Sequence, residues 1–197
     1  SGYWLKLNES QTVNLLGYKS SPDILYSLNE SSNLISFPSA DSYSLEDVLP
    51  PETEGVVFAV LSDDQAALYE EGQWTGSLTA LEGFHGYWFK SNAQVDFSFN
   101  IPDDAVARVE LPAKETLEEF EYNQSTQRAF YFIRECPPAE IGDWIIAYNN
   151  DIIVGARRWL GPYTDIPAMG YDSFDETLGY CPLTRTIFSE SSSASKL

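Results

Sequence analysis

Carboxylates crowd one short stretch of this chain, Asp172-Ser173-Phe174-Asp175-Glu176-Thr177, with Asp165 just upstream and Asn149-Asn150-Asp151 further back. Calcium takes roughly six to eight oxygen ligands, often from flexible loops. Asp172, Asp175 and Glu176, helped by backbone carbonyls, are therefore read as a candidate calcium site. The stretch is no EF-hand, because the glycine and closing glutamate of that loop are not in place. The plainer alternative is a polar loop whose aspartates bond their own backbone.

Other chemistries fare worse. His85 is the single histidine, so a Ser-His-Asp triad would have to pass through it. It lies in Gly83-Phe84-His85-Gly86, where a turn residue is the simpler reading. One histidine and two cysteines are too few for a zinc site, and no phosphate-binding glycine loop occurs. Glu118-Glu119 and Asp63-Asp64 are the sort of carboxylate pair a glycosidase uses, yet a chain with 30 acidic residues produces such pairs by chance. Catalysis is not indicated. Twelve tyrosines and five tryptophans could line a sugar-stacking platform, but Trp4, Trp88, Trp144 and Trp159 lie in apolar strand contexts and are read as core. Asn8-Glu9-Ser10, Asn29-Glu30-Ser31 and Asn123-Gln124-Ser125 count as glycosylation sequons only in a eukaryotic secretory setting.

The composition narrows the partners. The 197 residues are 43% hydrophobic and 14% aromatic, enough for one large or two small cores, and two is the better fit. Thirty acidic residues against 11 basic ones give a formal charge of −19, spread along the chain. Such a surface repels phosphate backbones and anionic membranes, so nucleic acid is an unfavourable partner. It suits solubility, a saline setting or bound multivalent cations. No run of about 18 apolar residues is present, so no membrane insertion is expected, and no signal-peptide pattern is read. Cys136 and Cys181 are compatible with one disulfide in an oxidising compartment.

The elements that would position these residues follow a repeat. Gly86-Tyr87-Trp88-Phe89-Lys90 repeats Gly2-Tyr3-Trp4-Leu5-Lys6 at an offset of 86 − 2 = 84 residues, which points to a modular protein. Ser1 is not methionine and the first copy starts without its turn, so the chain is expected to be a processed form or part of something longer. Strands are expected at 2–7, 11–16, 24–28, 33–37, 56–61 and 66–69, with Ser31-Ser32 as punctuation and Trp74 in the next strand. Ser44 to Leu49 is the one short helix, with Ser44 as cap and Pro50-Pro51 as stop. Val95, Phe97 and Phe99 alternate as a half-buried strand. Further on, 120–123 and 129–133 read as strands, and 144–148 with 152–156 form a hairpin about Asn149-Asn150-Asp151. Ile187-Phe188 closes the series, and the serine-rich end is a tail. Ser195-Lys196-Leu197 matches a peroxisomal address but is read as coincidental or truncated.

Two resemblances sharpen this. Leu28-Asn29-Glu30-Ser31-Ser32-Asn33-Leu34-Ile35-Ser36-Phe37-Pro38, with Leu45 to Leu49, Trp74 and Gly86-Tyr87-Trp88-Phe89-Lys90, resembles the tandem modules of large secreted bacterial surface proteins, with Ser31-Ser32 replacing a usual Gly-Trp. Asn123 to Gln127, Ala129 to Phe132, Gly142-Asp143-Trp144, Val154-Gly155-Ala156-Arg157, Trp159-Leu160-Gly161, Tyr163 to Gly170, Asp172 and Gly179-Tyr180-Cys181 are similar to a β-sandwich module of such proteins and of marine phage structural proteins. In that module a cysteine often precedes the Val-Gly pair. Here Ile153 takes its place, so the resemblance leaves Cys136 as the partner of Cys181.

The expected fold is all-β, two tandem β-sandwich-like modules with one short helix in the first. Residues 1–102 form the repeat-type module, 103–118 a linker or first strand, 119–188 the sandwich module and 189–197 a flexible tail. The expected function is a non-catalytic structural or adhesive module of a larger extracellular, cell-surface or virion appendage. Its partners are neighbouring copies or modules, with exposed strand edges for pairing and loops such as Gly161 to Gly179 presenting contacts. The alternative is a calcium-assisted carbohydrate-binding domain whose partners are surface glycans.

Overall fold

The computed structural model describes residues 7, 9–12, 14, 21, 23–101, 118–181 and 187–190. The first Gly-Tyr-Trp-Leu-Lys copy with Trp4, the strands expected at 2–7 and 11–16, the linker 103–118 except Glu118, and residues 191–197 of the expected tail fall wholly or partly outside them, whereas Ser189 and Glu190, expected as tail, belong to a strand. The protein is all-β, 41% strand and 8% helix. In chain order the strands are β1 (Tyr26–Leu28), β2 (Ser31–Ser36), β3 (Tyr43–Ser44), β4 (Val57–Leu61), β5 (Ala66–Glu70), β6 (Gln73–Gly76) and β7 (Ala80–Leu81). They continue with β8 (Gly86–Ser91), β9 (Val95–Phe97), β10 (Arg128–Ile133), β11 (Trp144–Asn149), β12 (Ile152–Arg158), β13 (Thr164–Met169) and β14 (Ile187–Glu190). Among the described residues the one α-helix is the short α1 (Leu45–Val48). The chain divides into two compact units, Ser1–Ser62 with Thr79–Leu111, and Asp63–Leu78 with Pro112–Leu197. Residues 63–78, placed by sequence in the first module, thus belong to the second unit.

In the first unit the repeated motif is the middle strand. Antiparallel β8 is paired by β2 from Ser31↔Ser91 to Ser36↔Gly86 and by β4 from Val57↔Ser91 to Leu61↔Trp88, with a bulge between Val57 and Ala59. Strand alternation sends Tyr87, Phe89 and Ser91 inward and leaves Trp88 and Lys90 half-buried. Trp88, expected in the core, therefore lies on the opposite face from Tyr87 and Phe89, in register with Leu34 and Leu61. Ser31-Ser32 is not punctuation: it opens β2, with Ser31 at φ 95°.

Aromatic rings fill this core. Phe99 meets Phe37 and Phe97 edge-on, each at 5.1 Å between ring centres, and Phe97 packs 6.1 Å from Phe89. Ser44 does sit at the helix N-cap, but its side chain makes no capping bond. The helix persists because Leu45 and Val48 are buried while Glu46 and Asp47 face out. The buried Tyr87 hydroxyl accepts the Glu82 N–H at 2.7 Å and so holds the entry into β8. Tyr87→Phe is expected to cost about 1 kcal/mol by leaving that donor unpaired, read as a lower urea midpoint with an unchanged slope.

In the second unit β5 and β6 form a hairpin that turns at Glu71 and Gly72, both with positive φ, at 53° and 83°. β10 pairs with β13 from Arg128↔Met169 to Ile133↔Thr164. β11 lies between β12 and β14, and the β11–β12 hairpin closes just past Asn149↔Ile152, where the sequence placed it. Two expectations are corrected. Residues 120–123 form no strand, since Glu118–Phe120 is a 3-10 turn followed by irregular chain. Gly161 to Gly179 is not one loop, because Thr164–Met169 within it is a strand with all six residues buried. Ile145, Ala147, Val154, Trp159, Ile166 and Ala168 make the core around it.

Close approach of β12 and β13 sets one glycine. A methyl group on Gly155 would lie 1.6 Å from the Pro167 carbonyl oxygen. Only hydrogen fits there.

Candidate functional site

The most concentrated polar chemistry of the second unit sits where β13 meets the β5–β6 hairpin. Asp165, in the middle of a buried strand, has a fully buried side chain. A charge in that position needs partners, since burying it unpaired costs many kcal/mol. Oδ1 accepts the Ser77 N–H at 2.5 Å, and Oδ2 accepts the Ala66 N–H at 3.1 Å and the Ser77 hydroxyl at 2.8 Å. Arg157 Nη2 stands 3.4 Å from Oδ2, its side chain only 16% exposed, and Arg157 Nε donates to the Asp165 carbonyl at 3.2 Å. The same guanidinium donates to the Asp64 carbonyl, and Arg128 donates to the Asp63 carbonyl. The hairpin is thus gripped at both of its ends, and its tip is met by Arg134, 3.8 Å from Glu71 across an exposed pair.

The electrostatics follow from burial. Desolvation raises the Asp165 carboxyl above its ordinary range, opposed by Arg157 and by the Ser77 hydrogen bonds. Tyr122, beside the cluster, is pushed up to about 12 by burial, against the pull of Arg157. Arg128 is lowered by burial, while Asp63 and Asp64 counter that effect. A carboxylate whose oxygens are taken by the chain's own donors, next to an arginine turned to backbone carbonyls, is arranged to fasten a hairpin. The signal in the sequence was a lone aspartate inside Thr164–Met169; the partners that explain it come from residues far back in the chain.

The candidate calcium residues lie elsewhere in this unit. Asp172 Oδ2 accepts from Thr126 N–H at 2.9 Å and Thr126 hydroxyl at 3.3 Å, and Oδ1 from the Thr177 hydroxyl at 2.7 Å and Phe174 N–H at 3.4 Å. Asp175 and Glu176 are exposed on the 3-10 turn Asp175–Thr177. Among the described residues no three acidic, histidine or cysteine side chains gather as a metal-holding group, so Asp172, Asp175 and Glu176 are not brought together. Asp172 serves as the acceptor that shapes its loop, as the plainer sequence alternative had it.

That acceptor role has a pH signature. Desolvation pushes the Asp172 carboxyl upward, but hydrogen bonds from Thr177, Thr126 and Phe174 outweigh it and bring the pKa down from 3.8 to about 2. A carboxyl lowered in the folded state adds stability above its unfolded value, and that stability is lost as pH falls through the folded value. Thermal melts from pH 7 to pH 2 should therefore show Asp172→Asn less stable than the parent at neutral pH, the two converging towards about pH 2.

The remaining candidates are quickly placed. No disulfide joins Cys136, buried in the core cluster, to Cys181, which is half-buried, so the expected bridge is not formed. His85 is exposed in its turn, with Nδ1 3.0 Å from the Gly83 carbonyl. Asp63 and Asp64 offer backbone carbonyls to arginines. Of the tryptophans expected as core, Trp159 is buried, whereas Trp144 is half-buried between Phe120 at 5.4 Å and the Arg158 guanidinium at 4.9 Å. Trp74, half-buried, packs 5.2 Å from Tyr69 across the β5–β6 hairpin. Comparison with known protein families, with curated proteins and with solved structures finds no match to this chain.

Proposed function

We propose that this chain is a non-catalytic structural or adhesive module of a larger extracellular or virion appendage, working beside neighbouring copies or modules of the same assembly. The observation that carries the reading is the role of the repeated motif. In Gly86-Tyr87-Trp88-Phe89-Lys90 the recurring Tyr87 is core, Phe89 is core where the other copy has the apolar Leu5, and the strand is paired on both edges. A motif repeated for packing is what modular arrays reuse. The resemblance to surface-protein and phage modules and the charge of −19 agree with an exposed, soluble part of such an assembly.

A second reading, a calcium-assisted carbohydrate-binding domain, is favoured by the half-buried Tyr69–Trp74 pair, which could stack on a sugar. Melting with calcium and with a chelator, followed by glycan screening, separates the two. The module reading expects unchanged melting and no glycan retention. A melt that drops on chelation, with glycan binding abolished by Trp74→Ala, would replace it by the second reading.

A further inference from the structure

Three large apolar side chains stand out at one end of the second unit. Ile152, at the start of β12, is 39% exposed, and Phe174 and Leu178, on the turn after β13, are 45% and 61% exposed. The start of β12 and this turn adjoin: a methyl group on Gly179, next to Leu178, would lie 2.5 Å from Ile152 Cδ1, and Asn149 Nδ2 donates to the Gly179 carbonyl at 2.6 Å. Asn123 Nδ2 holds the turn from the other side, donating to the Glu176 carbonyl at 2.8 Å, and Asp172 fixes its start. The loop is therefore built before any partner arrives, which lowers the ordering cost of binding.

The rim of this surface is acidic. Asp151 adjoins Ile152, Asp175 adjoins Phe174, and both are exposed. Residues 149–152 and 171–181 contain no lysine or arginine. Exposed apolar groups with a one-signed rim mark an interaction site for the opposite charge. A second copy of this chain fits that description poorly, with 11 basic residues against 30 acidic. We infer that the Ile152–Phe174–Leu178 surface, rimmed by Asp151 and Asp175, docks a segment of a partner protein in which large apolar residues are flanked by lysine or arginine. The apolar side chains supply affinity, and the carboxylates supply orientation and approach rate.

The test is anisotropy of a labelled synthetic peptide alternating leucine and phenylalanine with lysine pairs, titrated with the full chain. Controls are a peptide with glutamate for lysine and one with serine for the apolar residues. The inference expects binding to the first peptide only. Ile152→Ser with Leu178→Ser should weaken it about tenfold, Asp151→Asn with Asp175→Asn should weaken it and flatten its salt dependence, and Phe84→Ser on the other unit should leave it unchanged. Melting curves check that each variant folds, and amide chemical shifts of the parent chain give a second readout, with changes expected at 149–152 and 171–179. The inference is overturned if no peptide binds, if the serine-substituted peptide binds equally well, or if the loop variants bind like the parent. Binding that survives the loop variants would be attraction to the net charge alone. None of these outcomes depends on whether copies of the chain associate with one another.

Discussion

Asp165→Ala is expected to remove about 3–5 kcal/mol from the second unit, because it strands a buried arginine along with two backbone donors. Arg157 would keep its bonds to carbonyl oxygens but lose its counter-charge, and the Ala66 and Ser77 N–H groups would face a void. The sharpest readout is amide hydrogen exchange at Ala66 and Ser77, which should accelerate far more than exchange in β8 of the other unit. Asp165→Asn is expected to rescue little. Its amide NH2 would point at groups that themselves donate, so only one of the two acceptor oxygens is kept. Replacing Asp165 and Arg157 together by apolar residues of similar size should recover much of the loss, since removing both charges leaves neither unpaired.

The pH behaviour of this site is opposite to that of Asp172. Burial raises the Asp165 carboxyl in the folded state, so folding takes up a proton there. Its contribution is most favourable below the unfolded value and declines as pH rises through the folded value. The 171–179 loop therefore loosens only as pH falls below the ordinary carboxyl range towards about 2, and protonation of Asp165 does not add to that loss.

Gly155→Ala is the second large effect. The new methyl would meet the Pro167 carbonyl oxygen at 1.6 Å and its carbon at 2.7 Å, and both are backbone atoms that cannot rotate away. Either β12 or β13 has to shift, separating Val154 from Ile166 and Ala168 in the core. Overpacking of this kind costs about 3 kcal/mol or more, at the upper end of its range. A urea midpoint lowered by that amount, with Gly72→Ala as the comparison, checks it. Gly72 has open space about its Cα and only its positive φ to lose, so its substitution should cost about 1 kcal/mol.

These two residues also mark where the sequence could and could not be read. The β11–β12 hairpin was legible because apolar runs flank Asn149-Asn150-Asp151, a turn signal that acts locally. β4, β5 and β8 were legible for the same kind of reason. β13 was not, because Asp165 and Pro167 are strand-avoiding residues and their tolerance depends on distant groups. Asp165 is satisfied by Ala66 and Ser77, and the Pro167 carbonyl has room only because Gly155 in another strand carries no side chain. The assignment of residues 63–78 to the second unit was hidden likewise, since nothing local in Ala66 to Gly76 reports an aspartate placed about a hundred residues later. Trp88 was misplaced by hydrophobicity. Strand alternation in Gly86–Ser91 already assigned it to the face opposite Tyr87 and Phe89. Asp172, Asp175 and Glu176 are close in sequence, but the 3-10 turn and the demand of Thr126 and Thr177 for an acceptor keep their carboxylates from converging.

The central claim, that the chain is a module built to work among neighbours, is tested most directly by its mass in solution. Light scattering across a concentration series, with calcium and with a chelator, should show growth in mass with concentration that chelation does not alter. A strict monomer at every concentration, with a fold that loosens when calcium is withdrawn, would contradict the claim.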